Sequence, residues 1–390
     1  MTTDMLNFTS LPPLALYIHI PWCVRKCPYC DFNSHEAPGT LPETEYVDAL
    51  IRDLEQDLPL IWGRPITSIF IGGGTPSLFS AEALDRLFSG LRARLKLLPG
   101  IEITLEANPG TVEAGKFREF HALGINRLSI GVQSFQDAQL KALGRIHGGR
   151  EAIAAAEAAH AAGFTDFNLD LMHGLPGQGV EQGMADVRQA IALQPSHISY
   201  YQLTLEPNTL FHARPPRLPD DELLADIEEA GQALLADAGY VQYEVSAYAK
   251  EGFRCAHNLN YWEFGDYLGI GAGAHGKITL PAEQRIVRRA RIRNPRDFQQ
   301  HAGTAEAYEE TVVKQADVAF EFMLNALRLK DGFTPHLFQE RAGMPLGLIR
   351  DAMREAESRG LIDWDMRRIK PTPLGWRFLN DLMQCFLPDR

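Results

Sequence analysis

Residues 16–30 read Leu16-Tyr17-Ile18-His19-Ile20-Pro21-Trp22-Cys23-Val24-Arg25-Lys26-Cys27-Pro28-Tyr29-Cys30, a strand-like apolar run leading directly into three cysteines. The C-x3-C-x2-C spacing puts three thiols on one short loop, one ligand short of a closed four-cysteine site. Soft thiolates select zinc, copper(I) or iron-sulfur clusters over hard cations, and a cluster held by three cysteines keeps one iron open to a further ligand. Cys255 and Cys385 lie far along the chain and have no partner at zinc-ribbon spacing. On spacing alone, three structural or zinc-binding cysteines are the alternative.

Working outward, apolar runs that read as strands recur at 16–20, 68–71, 101–107, 127–131, 167–171 and 197–203, separated by helical stretches such as 43–58. Strict alternation of strand and helix predicts a parallel sheet with right-handed crossovers. In (β/α) barrels the chemistry gathers at the C-terminal ends of the strands. The polar and glycine-rich motifs of this chain fall there. In IFIGGGTPS (69–77) three glycines follow a strand, where backbone lacking Cβ atoms can approach a ligand; an ordinary strand-to-helix turn is the plain reading. Later strand ends carry Glu106 in ITLEANP, Gln133 in LSIGVQSF, Arg145 in LGRIH and Asp170 in FNLDLMHGLP. Taken singly, each is a capping or surface polar residue; their joint order is what points to a site.

That order resembles the radical S-adenosylmethionine (SAM) superfamily. The resemblance implies an α/β fold built on a partial (β/α)6 TIM-like barrel, with a 4Fe-4S cluster on Cys23, Cys27 and Cys30 and SAM at the open iron. It assigns Gly73, Gly74 and Thr75 to the methionyl amino group and Glu106 to the ribose hydroxyls, a carboxylate being a double acceptor for a diol. Gln133, Arg145 and Asp170 complete the polar set, Arg145 facing the SAM carboxylate. Tyr17 and Tyr29, on either side of the first cysteines, resemble aromatics that pack cluster and adenine, although an aromatic in a strand is ordinarily core. In this superfamily the reduced cluster cleaves SAM to methionine and a 5′-deoxyadenosyl radical.

HIPWC, LEANPG, GINRLSIGVQSF and DLMHGLPGQ are similar to the coproporphyrinogen III oxidase-like (HemN/HemW) family, which holds oxygen-independent oxidases and heme chaperones. The oxidases carry a fourth cysteine two residues beyond the third, where this chain has Phe32, and a longer segment before the loop than the 22 residues here. Both departures favour the chaperones. HNLNYW (257–262) resembles their H-N-x-x-Y-W motif and implies heme near His257, with Cys255 as a second candidate ligand and Tyr261 and Trp262 as flat faces. A hydrogen-bonded core histidine is the alternative.

The expected function is therefore a heme chaperone handing heme to target hemoproteins. An oxygen-independent coproporphyrinogen III oxidase is the alternative, and a redox-sensing winged-helix regulator ranks below it. Expected partners are heme, heme-accepting clients such as membrane respiratory enzymes, and an electron donor to the cluster, with peripheral membrane association and a homodimer as further expectations.

The remaining features bound these readings. Gly271, Gly273 and Gly276 in GIGAGAHG satisfy G-x-G-x-x-G, but late in the chain and without the following acidic residue they read as a tight turn, not a dinucleotide site. Net charge of -12 disfavours nucleic acid, and 45% hydrophobic with 23% charged residues is globular usage. The N-terminal MTTDMLNFTSLPP lacks a basic-then-apolar leader, and few cysteines outside the loop point to a reducing, cytoplasmic setting. We expect a barrel over 1–280, an arginine-rich connecting segment over 281–310 and a mostly helical, winged-helix-like domain over 311–390. Arg285, Arg288, Arg289, Arg291, Arg293 and Arg296 crowd that segment, either as a solvated face or as a strip for heme propionates, an acidic partner or an anionic membrane. From Thr311 onward 12 basic residues stand against 11 acidic ones, which is no nucleic-acid footprint.

Overall fold

The computed structural model describes residues 6–388. Six strand–helix units come first: β1 (Leu14–Ile20), α1 (Glu43–Asp57), β2 (Pro65–Gly73), α2 (Ala81–Arg94), β3 (Lys96–Ala107), α3 (Thr111–Ala122), β4 (Arg127–Gln133), α4 (Gly149–Ala161), β5 (Asp166–His173), α5 (Val180–Ala192), β6 (His197–Gln202) and α6 (Asp221–Asp237). β1 to β6 pair in parallel in chain order. A parallel sheet under helices is covered on both faces, so its strands are continuous apolar runs: in β1, Leu14, Ala15, Leu16, Ile18 and Ile20 are all buried. The helices start at local signals. The Ser80 hydroxyl accepts from the Ala83 N–H ahead of α2, while Glu151 and Gln182 reach back to the N–H groups of Gly148 and Gly179.

The sheet does not stop at six strands. β8 (Ala247–Ala249) adds antiparallel to β6, and β7 (Val241–Gln242) antiparallel to β8; then the chain crosses through α7 (Ala256–Trp262) to the other edge. There β9 (Asp266–Ile270) pairs in parallel with β1, and β10 (His275–Leu280), β11 (Arg285–Arg291) and β12 (Tyr308–Val312) follow antiparallel. The result is an open twelve-stranded sheet in the order β12-β11-β10-β9-β1-β2-β3-β4-β5-β6-β8-β7. The glycines of GIGAGAHG make the turn between β9 and β10, with Gly271 at φ +104 and Gly273 at φ +79.

The arginine-rich stretch is thus divided: Arg288, Arg289 and Arg291 are paired, while Arg293 and Arg296 are exposed. Its alternation is that of β11, which turns Arg289 and Arg291 inward to Asp57, while Arg291 also meets Asp53 at 2.8 Å. Asp53 and Asp57 are fully buried on α1, and no apolar packing could tolerate them without those guanidiniums. Arg288 faces Glu321 at 2.6 Å and ties the sheet to the tail.

The tail comprises α8 (Gln315–Ala326), α9 (Pro335–Ala342), α10 (Arg350–Ser358) and a hairpin of β13 (Ile362–Trp364) with β14 (Ile369–Pro371), the order of a winged helix. Two short helices, Pro373–Arg377 and Leu379–Gln384, close it, where sequence alone suggests one. Its core centres on Phe322, which meets Phe333 and Phe338 edge-on, each with ring centroids 5.1 Å apart. Phe264 of the barrel joins the same cluster, so the two bodies share a seam.

Candidate functional site

Two cavities open at the C-terminal ends of the parallel strands, and Gly73 and Glu106 line both. The smaller, about 390 Å³, gathers Cys23, Cys27, Cys30, Tyr29, Gly74, Thr75, Gln133, Arg145 and Asp170. The larger, about 1030 Å³, lies between the cysteine loop, β1 and the β10–β12 edge.

The cysteine loop leaves the end of β1 and is fastened to the glycine run that ends β2. Gly74 N–H donates to Ile20 O at 2.8 Å and Thr75 N–H to Trp22 O at 2.7 Å. That approach is why glycine is required: a Cβ on Gly74 would sit 2.5 Å from Trp22 O, and one on Gly73 2.5 Å from the His19 ring. The three cysteines are free and half-buried. Burial pushes the Cys23 and Cys30 thiols up, opposed by hydrogen bonding to Thr75 and Ser34. Among the described residues no three His, Cys, Asp or Glu side chains close around one metal ion.

Around the thiols the polar set converges. Arg145 donates to Asn108 Oδ1 and to Gly131 O, both at 2.7 Å, and its Nη1 lies 3.5 Å from Cys27 Sγ. Its Nε is buried with no partner. Asn108 in turn donates to Thr75 Oγ1 at 2.7 Å. Glu106 accepts from Gly73 N–H at 3.0 Å; burial, with Asp170 nearby, pushes its carboxyl up to about 7. Asp170, also raised by burial, accepts from Asn168 Nδ2 at 2.8 Å and from Ser129 Oγ at 3.3 Å. Gln133 adopts φ +67 and accepts from the Tyr201 hydroxyl at 2.8 Å. A cationic clamp beside three thiols, backbone donors on glycines and two carboxylates suit an amino acid headgroup and a diol. These residues fit a three-thiolate cluster with SAM.

Not every expected residue belongs to this cavity. Tyr29 does, packed on Phe211, but Tyr17 faces the larger one, its hydroxyl 3.0 Å from His19 Nδ1 and its ring stacked on Phe70. Strand alternation turns Tyr17 and His19 toward the β9–β10 side, away from the thiols.

The HNLNYW segment forms α7, and in this structure it encloses both residues expected as heme ligands. His257 is buried behind the cavity wall, with Nδ1 3.0 Å from Ser68 Oγ and Nε2 3.0 Å from the Tyr261 hydroxyl. Both ring nitrogens are engaged, and burial lowers the imidazole to about 3. Cys255 is fully buried at the helix start, and burial, with the Glu102 carboxylate nearby, pushes its thiol up to about 12; Glu102 of β3 takes the N–H groups of Ala256 and His257 at 2.8 and 3.0 Å. Neither reaches a cavity. Of this motif only Tyr261 does, while Trp262 lies under the Arg328 guanidinium, 4.3 Å from its ring centroid, and joins barrel to tail.

Sequence reasoning missed Asn108 and Tyr201. Asn108 stands two residues after Glu106 at the end of β3, and that spacing alone places both side chains on one side of a strand. Tyr201 carried no signal beyond its place at the end of β6.

Comparisons with known proteins agree with this geometry. The Radical SAM superfamily matches residues 17–190, and the HemN C-terminal domain family matches residues 313–378. The protein named "Heme chaperone HemW" from Escherichia coli K12 is 52% identical, covering 97% of this chain and 100% of its own. Its namesake from Bacillus subtilis is 34% identical over 96% and 99% of the two chains. Among solved structures, the coproporphyrinogen III oxidase HemN from Escherichia coli superposes with a TM-score of 0.80 at 23% identity, over 97% of this chain and 90% of that one, a likeness of fold. The chain belongs to the radical SAM superfamily and, within it, to the HemW family.

Proposed function

We propose that this protein is a heme chaperone that carries a 4Fe-4S cluster and SAM and delivers heme to client hemoproteins. One observation carries the reading: 52% identity, end to end, to a protein named as a heme chaperone. Phe32 in place of a fourth cysteine supports it against the oxidase, whose likeness to this chain is one of fold.

In this reading Cys23, Cys27 and Cys30 hold the cluster, and Gly73, Gly74, Thr75, Glu106, Gln133, Arg145 and Asp170 hold SAM. When bound, the pair supplies one-electron chemistry at an open iron. The chain itself fixes the arrangement: Arg145 sets a positive charge beside Cys27 and an anion, while Asn108 links Arg145 to Thr75. Glu106 and Asp170 offer acceptors at the ends of β3 and β5. Tyr261 contributes to the larger cavity, and His257 Nε2 lies 3.0 Å from its hydroxyl. The clients extend to membrane respiratory enzymes, reached from the cytoplasm by peripheral contact, and a separate donor reduces the cluster; a homodimer belongs to the same reading. Among the described residues no helix is long and apolar enough to cross a membrane.

Anaerobic titration of the cluster-loaded protein with hemin tests the reading through the Soret band. Saturable, near-stoichiometric binding is expected. A band that grows without saturation, as for non-specific adsorption, would contradict it.

A further inference from the structure

The two residues expected to ligate a heme iron, His257 and Cys255, are enclosed in this structure. We propose that heme occupies the larger cavity with His275 as the axial ligand and Arg293 as the partner of a propionate. This rests on the heme-chaperone reading and names its site.

The size separates the two cavities. At about 1030 Å³ the larger one lies at the upper end of small-molecule pockets, which span roughly 300–1,000 Å³, whereas the smaller, about 390 Å³, already carries the thiols and the polar set. A macrocycle needs the former.

The ligand follows by elimination. Two histidines line the larger cavity, His19 and His275. His19 is buried with Nδ1 3.0 Å from the Tyr17 hydroxyl and Nε2 2.9 Å from Asn33 O, so neither nitrogen is available. His275 opens β10, is exposed to the cavity, and its ring makes no hydrogen bond among the described residues. Burial, then the Arg288 and Arg293 charges, disfavours its protonation, and the neutral imidazole is the form that ligates iron.

The charges fix the orientation. Arg291 also lines the cavity but is consumed by Asp53 and Asp57. Arg293, two residues on, is in no ion pair among the described residues; its Nε only approaches Asn33 Oδ1 at 3.5 Å. The carboxylates of Asp31, Glu106, Glu306 and Glu309 line the same cavity, and Arg293 is the lining cation that no ion pair consumes among the described residues, which leaves it for a propionate. Phe32 lies at the boundary of both cavities, 59% exposed, an apolar ring without burial of its own. A porphyrin face would cover it.

The test is hemin titration of the cluster-loaded protein, its His275→Ala and Cys255→Ala variants, followed by Soret position and low-temperature EPR of the ferric iron. Loss of His275 should weaken binding by roughly tenfold or more and change the ligand-field signals, with exogenous imidazole restoring the parent band. Cys255→Ala, at the other candidate ligand, should keep the parent signals. Saturable binding by His275→Ala with an unchanged Soret band and EPR spectrum would overturn this assignment and leave the chaperone reading standing. Failure of the parent to bind saturably would overturn both.

Discussion

The backbone N–H of Gly73 donates to Glu106 Oε2 across 3.0 Å, joining the glycine run of β2 to the carboxylate of β3 at the wall between the two cavities. A ligand that donates hydrogen bonds to the ionised carboxylate must work against the burial that holds Glu106 up to about 7.

SAM affinity should therefore fall as pH drops through about 7, by at most about tenfold per pH unit, and Glu106→Gln should flatten the profile. Equilibrium dialysis from about pH 6 to about pH 8 measures this. The free protein responds in the opposite sense: a raised folded-state pKa means the native state binds the proton more tightly, so this group's contribution to stability declines as pH rises from 4.5 to about 7.

Gly73→Ala and Gly74→Ala should both impair the site. At Gly73 the backbone is at φ +114 and the added methyl meets the His19 ring; at Gly74 it meets backbone, which cannot swing away. Strain of about 1–3 kcal/mol is expected at Gly73, with SAM affinity reduced at least about tenfold in both, read by thermal unfolding and dialysis.

Arg145→Ala removes the donor to Asn108 and Gly131 and the charge beside Cys27. SAM affinity should fall by about tenfold to a hundredfold while the cluster still assembles, as its visible absorption will show. Arg145→Lys should rescue little, because an ammonium cannot reproduce a planar fork.

Arg291→Met should be among the most destabilising changes outside the cavities. It leaves Asp53 buried without its guanidinium, at a cost of about 3–5 kcal/mol, visible as a lower melting temperature. Asp53 is raised to about 6 even with Arg291 present, and the variant should raise it further. Its native state then binds protons more tightly than the unfolded chain, so the defect should shrink as pH falls below about 6.

Much of this was legible in the sequence, for identifiable reasons. β1 to β6 are parallel strands buried on both faces, so each announces itself as an apolar run with glycine or polar residues at its end, and the tail's helices carry ordinary periodicity. The smaller cavity was legible because its residues occupy consecutive strand ends. β7 and β8, of two and three residues, are too short to leave a period, whereas the alternation of Arg289, Arg291 and Arg293 reads as one face of a strand and β11 runs through the first two. Only the fold brings Asp53 and Asp57, more than two hundred residues away, to explain those arginines. The HNLNYW motif was visible, but burial of His257 is a fact of packing, as is the exposure of His275 inside a glycine turn.

The central claim is heme delivery, and the most direct measurement is transfer from the heme-loaded, cluster-loaded protein to an apo-hemoprotein, timed by the acceptor's Soret band under anaerobic conditions. A parallel reaction supplies coproporphyrinogen III with SAM and a reductant. The account predicts that the acceptor gains heme and that no decarboxylated porphyrinogen forms. Turnover of coproporphyrinogen with methionine release, and an acceptor that stays empty, would contradict it and establish the oxidase.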